Sequence, residues 1–269
     1  RQVSLWKNSL TLFTHALKVT KNNDLVYYNL GVAYDSLGRY QDAIDAYKQS
    51  IRIKPVEDAC CNLGVACGKL GLYEDTIEAY RQAIKIKPDF AKAYYNLGVA
   101  YGRLGRFQDA AEAYRQAVRI QPDYADAYNN LSVAYDSLGL YQDALEAAAQ
   151  AVRIKPDFAD THFNLGVACG KLGNYTEAID AYRETLKFKP DYAEAYNNLG
   201  NVYAALGRYR EAINSYKHAV KIKPDYSDVQ NNLGTAYGSL GRYPEAIDAF
   251  MQAIRIKPDY SDAYNNLGA

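Results

Sequence analysis

The chain lacks net charge: 31 Lys and Arg stand against 31 Asp and Glu in 269 residues. With no excess charge to draw in phosphates or anionic headgroups, general nucleic-acid binding is not expected. Long apolar runs are missing too. None approaches the ~20 residues that a bilayer-spanning helix needs, and Arg1-Gln2-Val3-Ser4 lacks a signal-peptide pattern, so no membrane insertion of these residues is expected. Cysteine is scarce. Cys60 and Cys67 fall on one predicted helix, separated along its axis by about 10 Å, beyond disulfide reach, while Cys61 and Cys169 are far apart in sequence. Neither the cysteines nor His15, His162 and His218 show zinc-site spacing. Free thiols, no metal and no cofactor are therefore expected. Met and Trp occur once each beside 27 Tyr, an aromatic usage so lopsided that it points to one local environment repeated many times. The 49% hydrophobic content is enough for a packed core and excludes disorder.

Proline marks the repetition. Pro55, Pro88, Pro122, Pro156, Pro190, Pro224 and Pro258 are separated by one step of 33 and five of 34 residues. The short step is a one-residue deletion between predicted helices, where Val56-Glu57-Asp58 replaces a longer linker such as Asp89-Phe90-Ala91. Each unit is also divided by a glycine: Gly38, Gly71, Gly105, Gly139, Gly173, Gly207 or Gly241. Apolar residues at helical spacing on both sides of a glycine suited to left-handed backbone, with a proline to stop the second helix, predict an antiparallel helix–turn–helix unit. The second helix opens acidic and closes basic, as in Asp109 and Glu112 then Arg119, which matches the helix dipole. That accounts for the basic ladder, Lys54, Lys87 and Lys155 among it, without invoking nucleic acid.

In the unit Ala91 to Tyr124, Tyr94, Leu97, Gly98, Tyr101, Ala110, Tyr114, Ala117 and Pro122 resemble the large–small signature of the tetratricopeptide repeats. The resemblance covers nearly the whole chain and implies an all-α, right-handed superhelical solenoid. Seven units are counted: 24–56, 57–90, 91–124, 125–158, 159–192, 193–226 and 227–260. Trp6, Ser9, Phe13 and Ala16 align with Tyr40, Ala43, Tyr47 and Ser50, so residues 1–23 read as the second helix of a preceding incomplete repeat, and 261–269 as the start of an eighth. One tyrosine buries ~150–250 Å², more than a lone hairpin can cover, so neighbours must stack. The chain is expected to be excised from something longer, and its open ends, with Tyr264 and Leu267, to favour end-to-end self-association.

Several slots depart from the pattern. Cys60, Cys67, Cys169, His162 and Gln230 stand where other units carry tyrosine, and Ser132 with Ala148 replaces a glycine and an aromatic in the fourth unit. His162 reads as a packing substitution, since no nucleophile or carboxylate accompanies it, and Ala148 as a place where neighbouring aromatics close a gap. Gly98 and Gly102 are packing and surface sites of a helix, not parts of a phosphate loop.

Counting within each unit from its first residue, the sixth site is Asn29, Asn62, Asn96, Asn130, Asn164, Asn198, Asn232 and Asn266. The resemblance places this stripe on a concave surface, and a column of amides, each both donor and acceptor, suits the backbone of an extended peptide. The same amides could instead bond to their own scaffold. The fifth site carries Tyr28, Cys61, Tyr95, Asn129 and Phe163, then Asn197, Asn231 and Asn265. The ninth carries Val32, Val65, Val99, Val133 and Val167, then Asn201 and Thr235. A bound peptide is therefore expected to set apolar side chains along units one to five and to meet polar contacts beyond. From the second unit on, site two is acidic except at Lys92, so the basic clamp with which some relatives of this family grip a C-terminal carboxylate is absent. Lys69, Arg103 and Lys171 at site thirteen read as ordinary solvated surface cations or, alternatively, as a preference for an acidic stretch in the partner.

A non-catalytic scaffold that binds another protein or peptide is the leading expectation. The asparagine column also resembles that of O-linked N-acetylglucosamine transferases, and Arg1 to Phe13 resembles the start of the repeat region in bacterial polytopic membrane glycosyltransferases. That resemblance implies an alternative, a substrate-positioning arm whose catalysis resides elsewhere.

Overall fold

The computed structural model describes residues 23–268, together with Leu12, Phe13, His15, Ala16 and Thr20. Phe13 and Ala16 are helical; Trp6, Ser9 and Ala269 lie outside the described residues. The described residues form α-helices joined by short turns, with no strand among them. They fall into two compact units, residues 1–138 and 139–269.

In the first unit, α1 (Asp24–Ser36) packs on α2 (Tyr40–Ile53), α3 (Glu57–Lys69) on α4 (Tyr73–Ile86) and α5 (Ala91–Arg103) on α6 (Phe107–Ile120), and α7 (Ala125–Ser137) closes the unit against α6. In the second, α8 (Tyr141–Ile154) packs on α9 (Ala159–Lys171), followed by the pairs α9 with α10 (Tyr175–Phe188), α11 (Ala193–Ala205) with α12 (Tyr209–Ile222), and α13 (Ser227–Ser239) with α14 (Tyr243–Ile256). The short α15 (Ser261–Leu267) lies on α14. Within each unit the second helix of one pair packs on the first helix of the next, which makes a stack of helix–turn–helix repeats.

The turn is built as the glycine implied. Gly105 takes φ 71°, the left-handed region that a Cβ disfavours. The amide of Arg106 donates back to the Tyr101 carbonyl at 2.9 Å and that of Gly105 to Gly102 at 3.0 Å, which satisfies the last carbonyls of α5. Arg106 then lies over the Tyr101 ring at 4.6 Å and pairs with Asp109 at 2.7 Å in the first turn of α6. Arg39, Arg208 and Arg242 repeat the arrangement on Tyr34, Tyr203 and Tyr237. These ion pairs are solvent-exposed and orient the turn more than they stabilise it.

Inside each pair, glycine meets a ring. A Cβ at Gly98 would sit 2.6 Å from Cε1 of Tyr114, and one at Gly64 would sit 2.7 Å from Cε1 of Tyr80. Hydrogen at this position is what lets the two helices approach with an aromatic between them. In the fourth repeat the corresponding residues are Ser132 and Ala148, so small and large change together. Ser132 is buried, its hydroxyl donating to the Asn129 carbonyl at 2.7 Å, and Ala148 is fully enclosed. His162, in its tyrosine slot, is buried with Nε2 2.7 Å from the Pro156 carbonyl and its ring stacked on Phe188. All four cysteines are free and buried, and burial pushes their thiols up.

Candidate functional site

The sixth-site asparagines lie on the first helices of their repeats, and five of them are clasped by the repeat before. The Asn62 amide donates to the Tyr28 hydroxyl at 3.2 Å, Asn130 to the Tyr95 hydroxyl at 3.3 Å and Asn96 to the Cys61 sulfur at 3.9 Å. In the second unit, Asn232 donates to Asn197 Oδ1 at 3.2 Å and Asn266 to Asn231 Oδ1 at 3.0 Å. In each case the sixth-site amide reaches the fifth-site residue of the repeat before it. One N–H is thereby committed to the scaffold, and the amide is held in a fixed orientation with further hydrogen-bonding capacity beyond that contact.

The fifth site is therefore more enclosed than its residue types suggested. Asn197 and Asn231 are buried beneath the amides they accept from, with Asn197 also donating to Asn198 Oδ1 at 3.3 Å. Tyr28, Tyr95 and Phe163 are half-buried and packed on rings of their own repeat. Tyr95 lies 5.9 Å from Tyr114 and 5.0 Å from Tyr124, and Phe163 lies 5.9 Å from Tyr182 and 4.9 Å from Tyr192. Burial pushes the Tyr95 and Tyr114 hydroxyls above their usual range, with the Asn130 amide pulling both the other way. Asn29, Asn129 and Asn164 are half-buried, and Asn129 and Asn164 take part in further polar contacts.

The sixth, ninth and thirteenth sites do come together. In the first unit, one cleft of about 510 Å³ is lined by Asn96, Val99, Lys69 and Arg103, and a second of about 350 Å³ by Asn130, Val99, Val133 and Arg103. In the second unit a cleft of about 280 Å³ is lined by Val167, Lys171, Asn198 and Asn201. Asn201 is exposed, and its Oδ1 accepts from the Tyr216 hydroxyl at 2.8 Å and from Asn232 at 3.2 Å. Lys171 stands 5.8 Å above the Tyr141 ring. Val133 is 44% exposed on this face, a valine on offer rather than part of the core.

Residues of the second helices complete these clefts, and sequence reasoning passed over them. Tyr73 and Thr76 join the first, Phe107 the second, and Tyr175 the one in the second unit. The available signal was the aromatic that opens the second helix of every repeat: Tyr40, Tyr73, Phe107, Tyr141, Tyr175, Tyr209 and Tyr243. Among the described residues no three His, Cys, Asp or Glu side chains group as a metal site, and no helix is long and apolar enough to cross a membrane.

Family models described as tetratricopeptide repeat match residues 25–55, 91–124, 113–146, 157–225 and 191–259, and one described as TPR repeat matches 64–105. The chain belongs to the tetratricopeptide repeat family. A search of curated proteins returns no match. Among solved structures, this tetratricopeptide repeat protein is similar to YrrB, described as a TPR protein with an unusual peptide-binding site: 22% identity, TM-score 0.61, 72% of this chain and all of that one. It is similar to MamA at 28% identity and TM-score 0.58, over 64% of this chain and 95% of that one. PilF of Pseudomonas aeruginosa matches at 18% identity and TM-score 0.66, over 78% and 95% of the two chains.

Proposed function

We propose that this tetratricopeptide repeat protein is a non-catalytic interaction module that holds an extended segment of another protein along the first helices of its repeats. Repeats of this family mediate protein–protein interactions, and a structural relative of the chain has a peptide-binding site. The observation that carries the reading is the shared lining of the clefts: asparagine, a valine outside the core and a site-thirteen cation meet in the same hollow, once around Val99 and again around Val167. Clasped asparagines offer the partner's backbone preoriented polar groups, which lowers the ordering cost of binding. Val99 and Val133 receive its apolar side chains. Lys69, Arg103 and Lys171 favour acidic residues beside them.

The test begins with peptides selected from a random display library against the whole chain, their affinity then read by fluorescence anisotropy. Val99→Asp should weaken a selected acidic–apolar peptide by tenfold or more, and Arg103→Glu by about fivefold, with the helical circular dichroism spectrum unchanged. In the second unit, Asn198→Ala together with Asn232→Ala should weaken it less, because neighbouring amides remain. Peptides that bind Val99→Asp as tightly as the unsubstituted chain would place the site elsewhere.

A further inference from the structure

The second repeat holds cysteine at both its fourth and eleventh sites, Cys60 and Cys67. Two later repeats show how a ring sits at the fourth site. In the fifth repeat the fourth-site ring of His162 stacks on Phe188, with centroids 5.7 Å apart, planes 25° apart and Nε2 2.7 Å from the Pro156 carbonyl. In the sixth, the fourth-site Tyr196 stacks on His218 at 5.0 Å and 15°. The counterparts of Phe188, His218 and Pro156 in the second repeat are Ile86, Gln82 and Pro55. All three line one cleft of about 580 Å³, together with Ile51 and the fully buried Cys60. The positions that surround a ring in those repeats line a cleft here, and the chain supplies no ring.

The eleventh site tells the same story independently. Arg81 donates to the Tyr101 hydroxyl at 2.9 Å and Arg183 to the Tyr203 hydroxyl at 3.1 Å, each reaching from one repeat to the next. The corresponding pair one repeat earlier is Lys48 and Cys67, and a cleft of about 270 Å³ is lined by both. It shares Ile51, Glu78 and Gln82 with the first cleft.

We propose that the cleft over Cys60 is a binding seat for the side chain of a tyrosine from a partner protein, on a surface separate from the asparagine column. Ile51 and Ile86 cover the faces of the ring, and Gln82 and the Pro55 carbonyl offer hydrogen-bond partners to its hydroxyl, as the Pro156 carbonyl does for His162. Glu78 and Lys85 stand at the polar rim, where the partner's main chain remains in water. Burial pushes the Cys60 thiol up to about 11, so it is uncharged at neutral pH and the seat stays apolar beneath the ring.

The test uses p-cresol, the tyrosine side-chain analogue, and N-acetyl-tyrosine amide, titrated into the whole isotope-labelled chain and followed by the amide resonances of Ile51, Gln82 and Ile86. Both should shift these resonances saturably, with affinity in the millimolar range that suits so small a ligand. Cys60→Tyr, which fills the seat from within, should weaken binding at least tenfold. Ile86→Phe restores the stacking partner of the fifth repeat and should tighten it about threefold, so the proposal can still be judged if Cys60→Tyr fails to fold. No shift at these residues, equal shifts in Cys60→Tyr, or no tightening in Ile86→Phe would overturn the seat. Binding of p-cresol with exclusion of N-acetyl-tyrosine amide would overturn the partner side chain as its occupant, leaving a free phenol.

Discussion

The second and third repeats, α3–α4 and α5–α6, have the same turns, with Gly71 at φ 75° and Gly105 at φ 71°, and the same glycine beneath a ring, Gly64 under Tyr80 and Gly98 under Tyr114. They differ at Cys60, Cys61 and Cys67, where the third repeat has Tyr94, Tyr95 and Tyr101. The contacts that make a hairpin are common to both; the contacts that tie it to its neighbours are not. Tyr95 accepts from Asn130 in the following repeat and Tyr101 from Arg81 in the preceding one. In the second repeat, Cys61 keeps the first of these contacts through sulfur, at 3.9 Å from the Asn96 amide, while Cys60 and Cys67 leave clefts. Local geometry here is thus set within a repeat, and the coupling between repeats is exchangeable.

The largest way to break this contrast is to make the third repeat resemble the second. Tyr101 is 5% exposed. Tyr101→Cys removes a buried ring, while the exposed Arg81 guanidinium turns to water, and should lower unfolding stability by roughly 2–4 kcal/mol in urea titration. A loss under ~0.5 kcal/mol, the usual range of a neutral surface change, would mean that the interface collapses freely and that the open cleft at Cys67 costs the protein nothing.

A smaller effect should follow from disturbing what the two repeats share. Gly98→Ala drives a methyl into the Tyr114 ring and should cost about 1–3 kcal/mol, and Gly64→Ala a similar amount against Tyr80. The fourth repeat supplies the control, for there the glycine is Ser132 and the aromatic is Ala148. In a Tyr114→Ala background, Gly98→Ala should add almost nothing to the loss, a coupling that a double-mutant cycle measures directly. Additive losses would show that Gly98 is needed for its backbone and not for the ring above it.

These contrasts also mark what could be read without coordinates. The 34-residue step of the prolines and the glycine between helical patterns fix the repeat, because each acts through the backbone of its own unit. The meeting of Asn96, Val99 and Arg103 in one cleft follows from helical spacing alone. Other features depend on contacts between repeats, which periodicity within one unit does not encode. The burial of Asn197 and Asn231 is of that kind: fifth-site residues look outward on a helical wheel and are covered only when the next repeat's asparagine folds over them. The clefts at Cys60 and Cys67 likewise emerge only when His162 and Tyr196 at the fourth site, and Tyr101 and Tyr203 at the eleventh, show how a ring sits in those places.

The finest test concerns the clasp itself. Tyr95→Phe keeps the ring packed on Tyr114 and Tyr124 and removes only the oxygen that accepts from Asn130. Since Asn130 is half-buried, water can satisfy part of what is lost, and the cost should be about 0.5–1.5 kcal/mol, read from the urea midpoint at unchanged slope. The second repeat sharpens the comparison, because sulfur is a weak acceptor and Cys61→Ala should lose less through the Asn96 contact than Tyr95→Phe loses through Asn130. If the asparagines serve the scaffold alone, peptide affinity should be the same in Tyr95→Phe as in the unsubstituted chain. If their fixed orientation prepares them for a partner, releasing Asn130 should also weaken binding by about twofold to fivefold, because the amide must then be ordered at the moment of association.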